Sequence, residues 1–332
     1  MKFQDIKGHK KNIEILRGLV ERDTIPSSLI FYGPEGSGKL LVAKALARDI
    51  LSRYVLPHSE DLLFGTSENT ASNDDAESIR MFDAGVHPDF IVVDLKYQSA
   101  LLNEKVDEQK SIKIDTVREL IKFSNLKPSY STKKVIIVDD AEKMTVDAQN
   151  SILKTLEEPP ENTIIILVTQ NINLLLQTIV SRCYTMKFTG LDKNNIIDIL
   201  VSKGYDMKKA ELLSEMSEGS VSTALIYDDI IKMIEENLEY KNLAPFLIVS
   251  KISKTSNFRH MTDTIISFVN AYIYSKINTS DNREELLSFL KENFKYKNYL
   301  KHNVNTRIIL TMVLHRFFKT FNYFNDGIVL KV

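Results

Sequence analysis

The sequence has 332 residues, 43% of them hydrophobic and 26% charged, with 43 Lys and Arg against 44 Asp and Glu for a net charge of -1. At roughly 100–200 residues per domain this is enough for two or three domains with buried cores, and 11 Gly and 8 Pro are too few for a fibrous or low-complexity chain. A single cysteine, Cys183, rules out an internal disulfide or a zinc tetrad, and the balanced charge confines any nucleic-acid contact to a local patch or a partner.

The stretch Met1–Asp5 is polar and lacks the apolar core of a signal peptide. No apolar run approaches the ~20 residues that cross a bilayer. With one cysteine, this leads us to expect a soluble protein of a reducing compartment, the cytoplasm, with no membrane partner. From the N-terminus to about residue 190, short apolar runs alternate with helical patterns, which predicts parallel strands joined by crossover helices. The runs are Ser28–Tyr32, Phe90–Leu95, Lys134–Val138, Thr163–Thr169 and Tyr184–Phe188. Val135–Val138 and Ile164–Val168 are apolar at every position, as strands covered on both faces must be, and are expected at the centre of the sheet. Helices are predicted over Leu40–Tyr54, Asp115–Asn125 and Val146–Glu158, the last with Thr145 as N-cap and Pro159-Pro160 as its stop.

The stretch Pro57–Asp89 breaks the pattern. It holds Glu60, Asp61, Glu68, Asp74, Asp75, Glu77, Asp83 and Asp89 against one base, Arg80, around a Ser/Asn/Thr-rich middle. So little apolar area predicts a long, mobile insertion. After Phe188 the strands stop. Short helices are expected over 189–240, with turns and caps at Lys203-Gly204, Asp206 and Gly219-Ser220, and a further helical block over 241–332, where apolar residues such as Leu286, Phe289, Leu290 and Ile309, Val313, Phe317 recur at helical spacing.

Two motifs carry chemistry. Gly33-Pro34-Glu35-Gly36-Ser37-Gly38-Lys39 has phosphate-loop spacing between a strand and a helix. Gly33, Gly36, Ser37 and Gly38 would turn backbone N–H groups onto phosphate oxygens, and Lys39 would reach the terminal phosphates. The next position of a working loop is Ser or Thr, whose hydroxyl binds Mg²⁺; here it is Leu40. The second motif is the strand Val135–Val138 ending in Asp139-Asp140. In phosphate-loop ATPases the first acid supports Mg²⁺ and the second, usually Glu, orients the attacking water. Asp140 is one methylene short, and a ~1 Å misplacement of a base costs about 10²-fold. Asp139 is thus a candidate ligand of a degenerate nucleotide site that binds ATP or ADP without hydrolysis. None of the six histidines has metal-ligand spacing. His87, beside Pro88, reads as a structural residue, Cys183 as a small buried filler, and the lysines Lys291, Lys295, Lys297 and Lys301 as a solvated helix face.

Leu153-Lys154-Thr155-Leu156-Glu157-Glu158-Pro159-Pro160, then Ile164–Thr169, then Ser181-Arg182-Cys183, resembles the signature of the bacterial DNA polymerase III clamp-loader AAA+ family, and Ala84-Gly85-Val86-His87-Pro88-Asp89-Phe90 resembles a stretch of one member. The resemblance spans roughly Phe3–Phe188. It implies an α/β AAA+ core with a five-stranded parallel sheet (1–188), a small helical lid (189–240) and an all-α collar (241–332) that builds a pentameric ring. It further implies that Arg182 is an arginine finger acting in trans on a neighbour's γ-phosphate. The implied partners are the delta and gamma/tau subunits, and through them the sliding clamp and primed DNA. Three features depart from the family's motors: the cysteine-free 57–89 stretch stands where they carry zinc-binding cysteines, so no zinc is expected; Gly219-Ser220-Val221-Ser222 lacks their lid arginine; and Leu40 and Asp140 replace their magnesium and base residues. These losses favour a stator-like subunit with no ATPase of its own. An active gamma/tau-type ATPase, or an AAA+ remodelling factor outside replication, remain the alternatives.

Overall fold

The computed structural model describes residues 2–56, 71–106, 109–255, 257–278, 282–302 and 304–321. Each of the five apolar runs is a strand: β1 (Ser28–Tyr32), β2 (Phe90–Val93), β3 (Lys134–Val138), β4 (Thr163–Thr169) and β5 (Tyr184–Lys187). Between and around them lie the helices α1 (Lys10–Glu21), α2 (Lys39–Arg53), α3 (Ala71–Asp83), α4 (Leu95–Leu102), α5 (Ile114–Asn125), α6 (Val146–Glu157) and the single turn α7 (Gln177–Val180). All pairings are parallel, in the order β2-β3-β4-β1-β5. The two all-apolar runs are interior strands as expected, and every residue of β3 and β4 is buried.

Side chains alternate across a pleated strand, so a strand apolar at every position feeds two cores. Leu29, Phe31, Val135, Ile137, Ile164, Ile166 and Val168 pack with α1 and α2 on one face. Ile30, Ile136, Val138, Ile165 and Leu167 pack on the other against Val117 and Leu120 of α5 and Ala148 and Ile152 of α6. Thr145 caps α6 as the sequence suggests, its hydroxyl accepting from the Ala148 N–H at 3.2 Å. The first residue of β3, Lys134, is only 2% exposed. Its ammonium donates to the Phe123 and Leu126 carbonyls at 2.9 and 2.7 Å, at the C-terminal end of α5, and lies over the Phe123 ring.

The acidic stretch differs from expectation. Residues 57–70 fall outside the described residues, but 71–83, expected in a loose insertion, are the helix α3. Composition suggested too little apolar area, yet α3 docks through a few specific contacts. The Ser78 hydroxyl donates to the Leu51 carbonyl at 3.1 Å, Phe82 packs on Phe90 at 4.6 Å, and Arg48 of α2 pairs with Asp83 at 3.2 Å. The His87-Pro88-Asp89 turn completes the seat. His87 is buried, with Nε2 against the Ser78 hydroxyl at 3.2 Å and Nδ1 accepting from the Asp89 N–H at 3.1 Å. Burial lowers its pKa, against the pull of Asp89. Asp89 is itself buried and accepts from the backbone N–H groups of Ser129, Tyr130 and Ser131 at 2.7–2.8 Å.

The chain divides after Gly190 into two units, Met1–Gly190 and Leu191–Val332. The second is helical: α8 (Lys193–Ser202), α9 (Met207–Met216), α10 (Val221–Glu235), α11 (Ala244–Ile252), α12 (Phe258–Lys276), α13 (Arg283–Tyr299) and α14 (Thr306–Thr320). The segments expected as lid and collar share one core, in which Ile196, Leu213 and Ile231 belong to the same cluster as Phe268, Phe289 and Phe317. Gly219 (φ 89°) and Ser220 open α10, the Ser220 hydroxyl accepting from the Thr223 N–H at 3.1 Å. Asp228, fully buried, is held by Lys209 at 2.5 Å, Lys232 at 2.7 Å and the Tyr205 hydroxyl at 2.9 Å.

An unmade buried hydrogen bond is costlier than a made one is favourable. Asp89→Ala strands three amides together. It is expected to lower unfolding free energy by more than ~2 kcal/mol, with Asp89→Asn less damaging because one oxygen remains; urea midpoints of the two variants check the order.

Candidate functional site

Strand register places the two sequence motifs on one rim of the sheet. Leu167 of β4 is the partner of both Ile30 in β1 and Val138 in β3. The loop after β1 and the acids after β3 therefore leave the carboxyl ends of the strands at nearly the same level, with β4 between them, where open parallel sheets bind ligands.

The loop is built on glycine backbone geometry. Gly33, Gly36 and Gly38 have φ of 149°, 67° and 93°. A Cβ on Gly33 would stand 2.0 Å from the Phe188 carbonyl oxygen, so no other residue fits. The Ser37 hydroxyl is buried with no hydrogen-bond partner among the described residues, and the Ser37 carbonyl lies 2.5 Å from His9 Nε2. Lys39 is buried and folds back, its ammonium donating to the Gly33 and Pro34 carbonyls at 2.8 and 2.6 Å. Burial pulls its pKa below the usual range, opposed by the carboxylates of Glu142, Asp139, Glu35 and Asp140. Reaching a phosphate would mean exchanging those two carbonyls for phosphate oxygens.

Burial pushes the Asp139 pKa up to about 6, and the neighbouring Asp140 charge adds to the shift. Asp140 sits in the left-handed region (φ 49°) and is ion-paired to Lys143 at 2.7 Å. Its carboxylate is thus turned onto a cation of its own turn. Leu40 packs its side chain against the apolar core. Two donors of a magnesium–triphosphate complex are therefore missing or occupied: the position after Lys39 offers no oxygen, and Asp140 is engaged by Lys143.

Arg182 stands apart from these groups. Tyr184 of β5 is in register with Leu29 of β1, so Arg182 approaches its strand at the amino end of the sheet while Gly33 follows the carboxyl end of β1. At about 3.3 Å per residue, Gly33 lies roughly 13 Å along the strands beyond the level at which β5 begins, and Arg182 sits in the turn that precedes that level. The Arg182 guanidinium is at the surface, where Nε donates to Glu157 Oε1 at 2.7 Å, Nη2 pairs with the same oxygen, and Nη1 donates to the Thr178 carbonyl at 2.9 Å. Burial pushes the Cys183 thiol up to about 12, as suits a filler that packs against the core.

The structure thus assembles Gly33, Gly36, Ser37, Gly38, Lys39 and Asp139 at one rim and leaves Arg182 at the other. Sequence reasoning missed three participants. Lys143 was visible as the i+3 neighbour of Asp140. Glu157 was noticed only within the octapeptide motif. His9 carried no signal, because its link to Ser37 depends on how α1 is seated.

Three comparisons bear on these features. Residues 8–192, more than half the chain, match the family model described as DNA polymerase III, delta subunit. The chain is 30% identical over 205 residues to DNA polymerase III subunit delta' of Bacillus subtilis (strain 168), covering 62% of this chain and 55% of that protein. It is 25% identical over 314 residues to subunit tau of the same organism, covering 89% of this chain and 50% of that one. The matches thus span about half the length of these curated relatives. A solved gamma subunit-related protein from Thermotoga maritima shares the fold at 21% identity with a TM-score of 0.51, covering 92% of this chain and 98% of that one.

The Asp139 carboxyl takes up a proton between its ordinary 3.8 and about 6 in the folded chain only, so its contribution to stability falls as pH rises through that window. Asp139→Asn is expected to gain stability relative to wild type between about pH 4 and pH 7, read as the difference in urea midpoints at the two ends. Cys183, with its raised pKa, is expected to resist iodoacetamide at about pH 8 in the native chain and to react in urea, followed by mass spectrometry.

Proposed function

Because the chain belongs to the DNA polymerase III delta-subunit family of clamp-loader proteins, we propose that it serves as the stator-like delta prime subunit of the loader, donating Arg182 in trans to a neighbouring ATPase subunit. The observation that carries this reading is the separation of Arg182 from its own phosphate loop by the length of the sheet. A guanidinium at that rim lies far from the loop of its own chain, which supports a role at a nucleotide bound by a neighbour. There its fixed charge would stabilise the transferring phosphoryl group, an effect worth about 10³–10⁵ in rate when supplied in trans.

The state of the chain's own loop supports the same reading. Leu40 is given to the core, Asp140 to Lys143 and the Lys39 ammonium to loop carbonyls. ATP or ADP held there would be bound without cleavage. In this reading the partners are the delta and gamma/tau subunits, with the sliding clamp and primed DNA met through the complex, and no zinc is required. The tau match covers more of the chain than the delta' match and favours a second reading, an active gamma/tau-type ATPase.

The purified chain is expected to hydrolyse ATP at background rate, while Arg182→Ala lowers the DNA- and clamp-stimulated ATPase of the reconstituted loader by about tenfold or more. Magnesium-dependent turnover by the isolated chain, abolished in Lys39→Ala, would establish the second reading instead.

A further inference from the structure

Glu157 belongs to the octapeptide Leu153–Pro160, and its side chain has no part in the loop or the acids at the other rim. It is the last residue of α6, held at the surface by a helix whose inner face is buried through Ile152, Thr155 and Leu156. Among the described residues it is the one hydrogen-bond partner of the Arg182 side chain outside its own turn: Thr178 and Ser181 are near neighbours in sequence, whereas Glu157 is 25 positions away.

A guanidinium has five N–H donors, and a phosphate is best recognised by two on one edge. Here Nε and one Nη2 hydrogen are directed at Glu157 Oε1, and the Nη1 hydrogens at the Thr178 carbonyl and the Ser181 hydroxyl. One Nη2 hydrogen is left, and neither edge keeps a free pair. A γ-phosphate arriving from a neighbour must therefore displace Glu157 to be gripped by the Nε/Nη2 edge. The contact is built to yield: the side chains are 33% and 46% exposed, and water screens a pair this open. A multiply charged phosphate oxygen set outcompetes one carboxylate oxygen at such a site.

We propose that Glu157 is an autoinhibitory latch on Arg182, stowing the guanidinium and neutralising its charge until a triphosphate in the neighbouring subunit takes its place. The inference rests on the reading of Arg182 as a trans-acting finger. It assigns Glu157 a role opposite in sign to that of a residue that aims the finger. A latch lowers the rate whenever DNA and clamp have not yet brought the subunits together, and its removal raises that basal rate.

The test uses the complete reconstituted loader with ATP, comparing wild type, Glu157→Gln, Glu157→Ala, Arg182→Ala and the Glu157→Gln/Arg182→Ala double variant, all with matched thermal melts. Loss of the latch is expected to raise DNA-free ATPase by about two- to fivefold, in both Glu157 variants, and the double variant is expected to match Arg182→Ala alone. If Arg182→Ala impairs the complex while the Glu157 variants lower the rate or leave it unchanged, the latch is refuted and the finger stands. If Arg182→Ala has no effect, the trans reading fails and the latch with it.

Discussion

Every functional placement in this chain depends on the parallel register of β4 with its two neighbours. All seven residues of β4 are buried, and one of them, Leu167, sets the level of both β1 and β3. Because side chains alternate with a period of two, a slip of β4 by one residue would send Ile164, Ile166 and Val168 to the face that Ile165 and Leu167 fill and mismatch the packing of both cores. That penalty pins the strand ends. The phosphate loop and the Asp139-Asp140 pair consequently share one rim, and Arg182 and Glu157 share the other. The polarity of a parallel sheet, with no specific chemistry, is enough to part the chain's own loop from Arg182.

The two rims are held with different firmness. At the carboxyl rim Lys39 and Asp140 are taken by close internal partners, and burial disfavours the charged forms of Lys39 and Asp139. At the amino rim the guanidinium rests on a half-exposed carboxylate that solvent screens. Groups set in dry surroundings keep one arrangement, whereas groups in water can change partners at little cost. The difference between rims is the physical ground for the role proposed above.

Much of the first unit could be read directly from residue order. Runs apolar at every position, such as Val135–Val138 and Ile164–Val168, have no stable placement except between two covering layers, and a Gly-rich turn after the run Ser28–Tyr32 announces the loop. Thr145 and Pro159 fixed the ends of α6 for similarly local reasons. The helix α3 was not legible, because its acidic composition hides a seat made of individual contacts, the Ser78 hydroxyl and the Phe82 ring, whose partners lie on other elements. Glu157 and Arg182 were both noticed, but their pairing depends on where α6 ends relative to β5, which local sequence does not encode. The continuity of the core from Ile196 to Phe317 was hidden for the same reason, since helical spacing shows which face is apolar and not which helix covers it.

Lys134 shows what such long-range placement does to a residue's chemistry. A lysine is ordinarily the most available amine on a protein, but this one spends its hydrogens on the Phe123 and Leu126 carbonyls beneath an aromatic ring. It works as a rivet between the end of one helix and the start of the next strand. The folded chain consequently withholds this amine from acetylating enzymes and acylating reagents alike, and Lys134 would carry such a mark only if it were written before folding was complete.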